Sequence, residues 1–251
     1  MFDYLRAECY KVVRRKYLPG FLIVMFLCEG LLVGGWIFTN AHGNNMGFAG
    51  GAGVMVSMLS IGFYCTILTA DMVFSDQYKF NTLKNEVSFG LPRARIFAGK
   101  LIIECLLALV LCALVLAFYL GLCWITLPHD PELDGATMSA VISVLKIALP
   151  LWLGAQAFVN LLFFLIHSST VCSFIAVGIF MGAGGICRLL GALVSPVFRT
   201  LYQGLLTSPL EQAVDSGGSE ALFLQACVVG LCWFVFSTAL GLVLFQRKEI
   251  S

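Results

Sequence analysis

Two ionisable residues stand inside apolar runs of the chain. Glu29 lies eleven residues beyond the start of one run at Leu18, and Lys146 lies four residues before Pro150 in another. An ionised carboxylate near the middle of a bilayer costs on the order of a few kcal/mol unless it faces protein or water. Glu29 is therefore expected to face the interior of a helix bundle, where it pairs with Lys146 or Arg188 or lines a polar cavity for a cationic substrate. Glu29 and Lys146 are the candidates for a substrate path or gate, although a lysine near a membrane face also reaches water along its own stem. No other pattern carries catalytic or metal chemistry. His42, His129 and His167 are scattered in loops, and the chain has no HExxH, no GxSxG and no paired acidic metal motif. Nine of the ten cysteines lie in apolar runs and Cys9 lies in a basic stretch, with no CxxC pair, so they are expected to be free thiols acting as small hydrophobes. The segment Ala94-Arg95-Ile96-Phe97-Ala98-Gly99-Lys100-Leu101 approaches a phosphate-binding loop but lacks its first glycine and its magnesium-binding Ser or Thr.

Composition sets the frame for these residues. With 60% hydrophobic and 12% charged residues in 251, the chain has more apolar surface than a globule of this size buries, and lipid must be part of its solvent. A net charge of +1 excludes a nucleic-acid binder, which needs a basic surplus to neutralise phosphates. Six apolar runs follow one another, at residues 18–38, 48–74, 101–125, 141–166, 171–194 and 222–245. At a rise of about 1.5 Å per residue each crosses a hydrocarbon layer about 30 Å thick. The runs are continuous and do not alternate, which excludes a β-barrel. The expected fold is all-α and integral to the membrane, a single domain of six transmembrane helices.

Orientation follows from Lys and Arg in short loops, which stay on the cytoplasmic side during insertion. Arg6, Lys11, Arg14, Arg15 and Lys16 precede the first run, Lys79, Lys84, Arg93, Arg95 and Lys100 follow the second, and Arg247 and Lys248 follow the sixth. The acidic residues Asp130, Glu132, Asp134, Glu211, Asp215 and Glu220 gather on the other side. Both termini and the segment 75–100 are expected in the cytoplasm. The basic stretch leads into a run long enough to span, with no cleavage site, so the first helix is expected to stay with the protein.

Three segments outside the runs are expected to fold. Residues 1–17 mix apolar and basic side chains in the manner of a helix lying in the membrane interface. Segment 75–100 offers helix caps at Ser75 or Asp76 and breaks at Gly90 and Pro92, giving two short helices, the second continuing into the third span. Ser195-Pro196 and Ser208-Pro209, with Glu211 completing a capping box to Ser208, predict a short outer helical hairpin between the fifth and sixth spans that dips into the outer leaflet. Within the spans, Asp71 and Glu104 are expected in anchoring ion pairs, Gln156 and Asn160 to tie helices together, and Gly178, Gly182, Gly184 and Gly185 to admit a close neighbouring helix.

The opening residues Leu5, Glu8, Lys11, Arg14 and Lys16 resemble those of the ABC-2 permease family of ATP-binding-cassette transporters. So do the second-loop residues Asp76, Asn81-Thr82-Leu83-Lys84, Ser88, Gly90, Pro92-Arg93, Ile96 and Lys100, and the tail Phe245-Gln246-Arg247-Lys248-Glu249-Ile250. Asn81 departs from the glycine more usual there, mildly, because asparagine tolerates a left-handed backbone. The resemblance implies a permease without catalytic residues, a metal or a cofactor of its own. ATP and magnesium would sit on a separate cytoplasmic ABC ATPase dimer, and a second permease, identical or related, would complete the path through the cell membrane. It implies that Asn81, Thr82, Lys84, Asn85, Phe89 and Arg93 enter a groove of the ATPase, and that the fifth span flanks the permease dimer interface. In size the chain is similar to permeases for antimicrobial-peptide immunity or for peptide and drug export. An ion-coupled transporter or channel, which would show broken helices or several midplane charges, and an intramembrane enzyme are the alternative functions.

Overall fold

Each apolar run becomes a helix because, in lipid, a backbone that satisfies its own hydrogen bonds within one segment is the economical solution. The computed structural model describes residues 2–80, 82–166 and 168–247, with side chains throughout these except at 75–80, 82 and 83. Asn81, His167 and the tail residues Lys248, Glu249 and Ile250 lie outside the described residues, as do the side chains of Asp76, Thr82 and Leu83.

An amphipathic helix α1 (Phe2–Val13) precedes the first span, α2 (Tyr17–Ala41). The second span is α3 (Phe48–Met58), a 3₁₀ turn (Leu59–Ile61) and α4 (Gly62–Phe80). A short α5 (Thr82–Ser88) leads to α6 (Arg93–Thr126), which carries the third span, and α7 (Pro131–Leu165) and α8 (Ser169–Leu193) carry the fourth and fifth. Two short helices, α9 (Val197–Gln203) and α10 (Ser208–Ser216), precede α11 (Glu220–Arg247), the sixth span. Among the described residues six helical segments are long and apolar enough to cross a membrane. These are the six expected, and α1, α5, α6 and α11 meet at one end of the bundle, the basic end.

The helices run beyond the apolar runs where local chemistry allows. α7 starts at Pro131, with the Asp130 carboxylate accepting from the Glu132 backbone N–H at 3.1 Å and Glu132 and Asp134 in the first turn, where carboxylates offset the helix dipole. At the basic end α4 continues through Ser75 and Asp76 to Phe80. The expected helix start there is thus corrected, since neither Pro nor Gly interrupts the preceding turns to free a backbone N–H for capping.

The hairpin before the last span forms, with its capping corrected. Thr207, not Ser208, occupies the cap of α10, and no side-chain cap bond is made there. Ser208 is buried and accepts from Gln212 at 3.0 Å. Glu211 turns instead to Arg188 at 3.0 Å and the Tyr202 hydroxyl at 2.8 Å, a charge-assisted pair that outweighs a second cap bond. Leu206, Leu210 and Ala213 join the main core, so the hairpin packs into the bundle while Val197 and Leu201 remain exposed.

The core centres on α7, which packs against α11, α4 and α3, and it is filled near the basic end by Phe74, Phe97, Phe163, Phe164 and Phe245. The closest helix approach lies between α7 and α11. A Cβ on Gly230 would fall 2.3 Å from the Pro150 carbonyl oxygen, and one on Gly154 would fall 2.7 Å from the Gly230 carbonyl oxygen. The expected approach on the fifth span is not made within the chain. Among the described residues nothing stands within 4 Å of a Cβ built on Gly178 or Gly185, Gly182 meets only Ile186 of its own helix, and Gly184 meets Thr207, Glu211 and Tyr202 at 3.6–3.7 Å.

Candidate functional site

The basic end is built around the α5 hairpin. Gly90, at φ +83°, takes the left-handed position that ends α5. The Leu91 N–H donates to the Glu86 carbonyl at 3.3 Å and the Gly90 N–H to the Val87 carbonyl at 3.0 Å, a double closure that only a residue without a Cβ makes freely. Pro92 then opens α6. Lys84 and Asn85 are exposed, and Phe89, at the tip, is 87% exposed. These three stand together facing away from the bundle.

Arg93 faces inward. Its guanidinium donates to the carbonyls of Phe245 at 2.8 Å and Gln246 at 2.9 Å and lies 5.7 Å from the centre of the Phe245 ring. A cation on the last free carbonyls of a helix offsets its dipole, so Arg93 ties the start of α6 to the end of α11.

Opposite the hairpin, α1 is fastened by a buried charge network absent from the sequence reading. Lys100 is fully buried, and its ammonium lies 3.2 Å from Glu8, itself 2% exposed. Lys11 donates to Glu8 at 2.5 Å and to Glu86 of α5 at 3.5 Å, and the Tyr4 hydroxyl donates to Glu86 at 3.1 Å. Burial pushes the Glu8 carboxyl up, but Lys100 and Lys11 outweigh it and hold the group below its usual range. Gly99 leaves room for the Tyr4 ring, which would stand 2.5 Å from a Cβ there. The signal in the sequence was the spacing of Leu5, Glu8 and Val12 on one helical face. The segment resembling a phosphate loop is the opening of α6, and its lysine is spent on Glu8.

Higher in the bundle, a cavity of 410 Å³ lies between the first four spans, with Glu29 in its wall and Lys146 outside it. The Glu29 Oε2 atom is buried and has no hydrogen-bond partner among the described residues. The structure does not bring Glu29 to either expected partner: Lys146 is exposed on α7, and Arg188 pairs with Glu211. Gln156 ties helices as expected, accepting from Thr69 at 2.9 Å and donating to Glu104 at 3.0 Å. Glu104 therefore takes an amide and not the expected ion pair, because Lys100, one turn earlier, is drawn to Glu8. Asp71 accepts from Ser169 and lies in the field of Arg15, in keeping with an anchor. Asn160 is buried, and neither of its polar atoms has a partner among the described residues.

At the opposite end, His129 closes a clasp. Its Nδ1 lies 2.8 Å from Asp134 and its Nε2 lies 2.8 Å from the Trp124 carbonyl, with the rings of Trp124 and Phe48 packed on it. Both partners are acceptors, so only the imidazolium satisfies both. The bond to Asp134, then that to the Trp124 carbonyl, holds the His129 pKa above its ordinary value. Its stabilisation is fully present below about pH 6.5, the unfolded value, and is lost as pH rises through the folded one. Melting profiles taken between about pH 5.5 and 8.5 should therefore show an acid-side gain that His129→Phe abolishes. Equal pH slopes in the two proteins would remove the clasp.

The sequence profile of the family described as "ABC-2 family transporter protein" matches residues 4–185, which takes in α1, the α5 hairpin, the cavity and the first four spans. Comparison with curated proteins finds no match. Six membrane-crossing helices, a folded hairpin at one end and a profile match over most of the chain converge on one assignment: this is a multi-pass membrane protein that belongs to the ABC-2 transporter family, a permease component of an ABC transporter.

Proposed function

We propose that the chain is the membrane-spanning subunit of an exporter driven by a separate cytoplasmic ABC ATPase dimer, working in the cell membrane beside a second permease copy or a related chain. Both termini and the α5 hairpin lie in the cytoplasm in this reading. ATP and magnesium are held by the partner, and the cargo is an amphipathic peptide, drug or lipid-like molecule, as in antimicrobial-peptide immunity. One observation carries the coupling role: a phenylalanine 87% exposed at the tip of a glycine-closed hairpin, flanked by exposed Lys84 and Asn85. An aromatic ring gains nothing from water and much from a partner's groove. Thr82 opens the same helix, and Asn81 precedes it in the sequence. Force on the tip reaches the spans along two routes, through Glu86 to α1 and through Arg93 to α11. Arg93 thus transmits, in this reading, and does not dock.

The test is Phe89→Asp beside Lys84→Glu. Phe89→Asp should lower co-purification of the ATPase by at least about tenfold, the loss expected of a central aromatic anchor, with insertion and melting unchanged. Lys84→Glu should weaken it less. Assembly and transport unchanged in both would remove the hairpin from coupling.

A further inference from the structure

We propose that the cavity between the first four spans binds a lipophilic organic cation, with Glu29 as its counter-ion. The inference rests on the permease reading only in treating such a cation as cargo.

The space is suitable. At 410 Å³ the cavity falls within the range of about 300–1,000 Å³ typical of small-molecule sites. Its wall is mostly carbon and sulphur, including Met25, Met55, Met58 and Met72, side chains that reshape readily around differing apolar ligands. Access follows from the packing of α2. This helix leans on α6, with Phe26 stacked on Phe118 at 4.3 Å, makes no comparable contact with α4, and buries only Val33. The cavity is therefore least closed where α2 borders it, away from α6.

Charge selects the ligand. Among the described residues Glu29 is the one charged residue in the wall. Three hydroxyls of the wall are engaged elsewhere: Tyr119 donates to the Gly51 carbonyl at 2.8 Å, Thr66 to the Phe63 carbonyl at 2.6 Å, and Thr69 to Gln156 at 2.9 Å, while the indole N–H of Trp152, also in the wall, is buried without a partner among the described residues and is neutral. The Glu29 Oε2 atom is left buried without a donor, so the wall supplies an anion and no cation to meet it. A hard metal ion needs several oxygen ligands, and among the described residues no group of three or more His, Cys, Asp or Glu comes together. An apolar body bearing one diffuse positive charge satisfies both wall and carboxylate. A neutral amphiphile leaves the Glu29 charge uncompensated, and an anionic one opposes it.

Tetraphenylphosphonium and tetraphenylborate share a shape and differ in sign, which makes them the probes. The isolated full chain in nanodiscs of neutral lipid, with no ATPase present, should bind the phosphonium saturably above empty discs and at least about tenfold more tightly than the borate. Glu29→Gln should erase that discrimination, and Ala108→Phe, which fills the cavity, should weaken both ions. No saturable binding above empty discs, or equal binding of the two ions by the native chain, overturns the site; equal binding is the result expected if Glu29 merely holds a proton. The comparison on the native chain needs no variant to fold. ATPase co-purification is read separately, so a cavity that fails leaves the permease reading standing, and a failed assembly leaves the cavity's binding to be judged by itself.

Discussion

Glu8→Leu should destabilise the permease by about 3–5 kcal/mol, the cost of leaving a buried charge without its partner. Lys100 is fully buried, and without Glu8 it keeps no ion pair within 4 Å among the described residues, only the Phe74 ring 5.5 Å from the ammonium and the fields of Glu86 and Glu104. The asymmetry of the network gives a sharper test. Lys100→Met should cost less, because Lys11, half-exposed and 2.5 Å from Glu8, still meets the carboxylate. The pair Glu8→Leu with Lys100→Met should recover most of the loss, since neither charge is then stranded. The buried thiols of Cys123 and Cys172 give the readout, as a thiol-reactive dye reports unfolding when they open. Equal costs for the two single variants would show that the pair is not the fastening of α1. Acid should act in the same direction: Glu8 sits below its usual range when folded, so its contribution is present above about pH 4.3 and lost as pH falls through the folded value.

Gly230→Ala should be the most damaging single methyl addition in the spans. The atoms it meets, the carbonyl oxygen and carbon of Pro150 at 2.3 and 2.6 Å, are backbone and cannot rotate away. α7 and α11 must part along their length, and the cost should reach or exceed the upper end of the about 1–3 kcal/mol usual for overpacking. Gly121→Ala is the control. Among the described residues nothing lies within 4 Å of a Cβ built there, and alanine is about 1 kcal/mol the better helix former, so it should be neutral or stabilising. Melting of the two variants side by side decides the matter, and equal behaviour would mean that the α7–α11 seam is looser than its geometry.

Much of the architecture was legible because membrane insertion reads composition. A run of about twenty apolar residues leaves lipid and helix as its joint solution whatever its neighbours are, so the six spans followed without tertiary information. Gly90 and Pro92 were legible for a similar reason, since each restricts its own backbone. The site was less legible. Arg93 looked like an outward-facing member of a basic loop, but the end of α11, 152 residues later in the chain, supplies the carbonyls it binds. Glu104 looked like an anchor for a nearby cation, yet Lys100, one turn away, is claimed by Glu8 of α1, 92 residues earlier in the chain.

The glycines show the same division. Gly178, Gly182, Gly184 and Gly185 form the conspicuous cluster, yet the tight seam of the chain runs through Gly154 and Gly230, which are isolated in sequence. By itself the sequence determined what depends on one segment and its solvent: which runs cross, where the backbone breaks, and that a carboxylate at Glu29 sits among apolar residues. Only the tertiary structure decided which charges meet and which are left alone, because pairing depends on helices that come together from distant positions. It placed Lys100 beside Glu8 and left Glu29 facing a cavity without a cation.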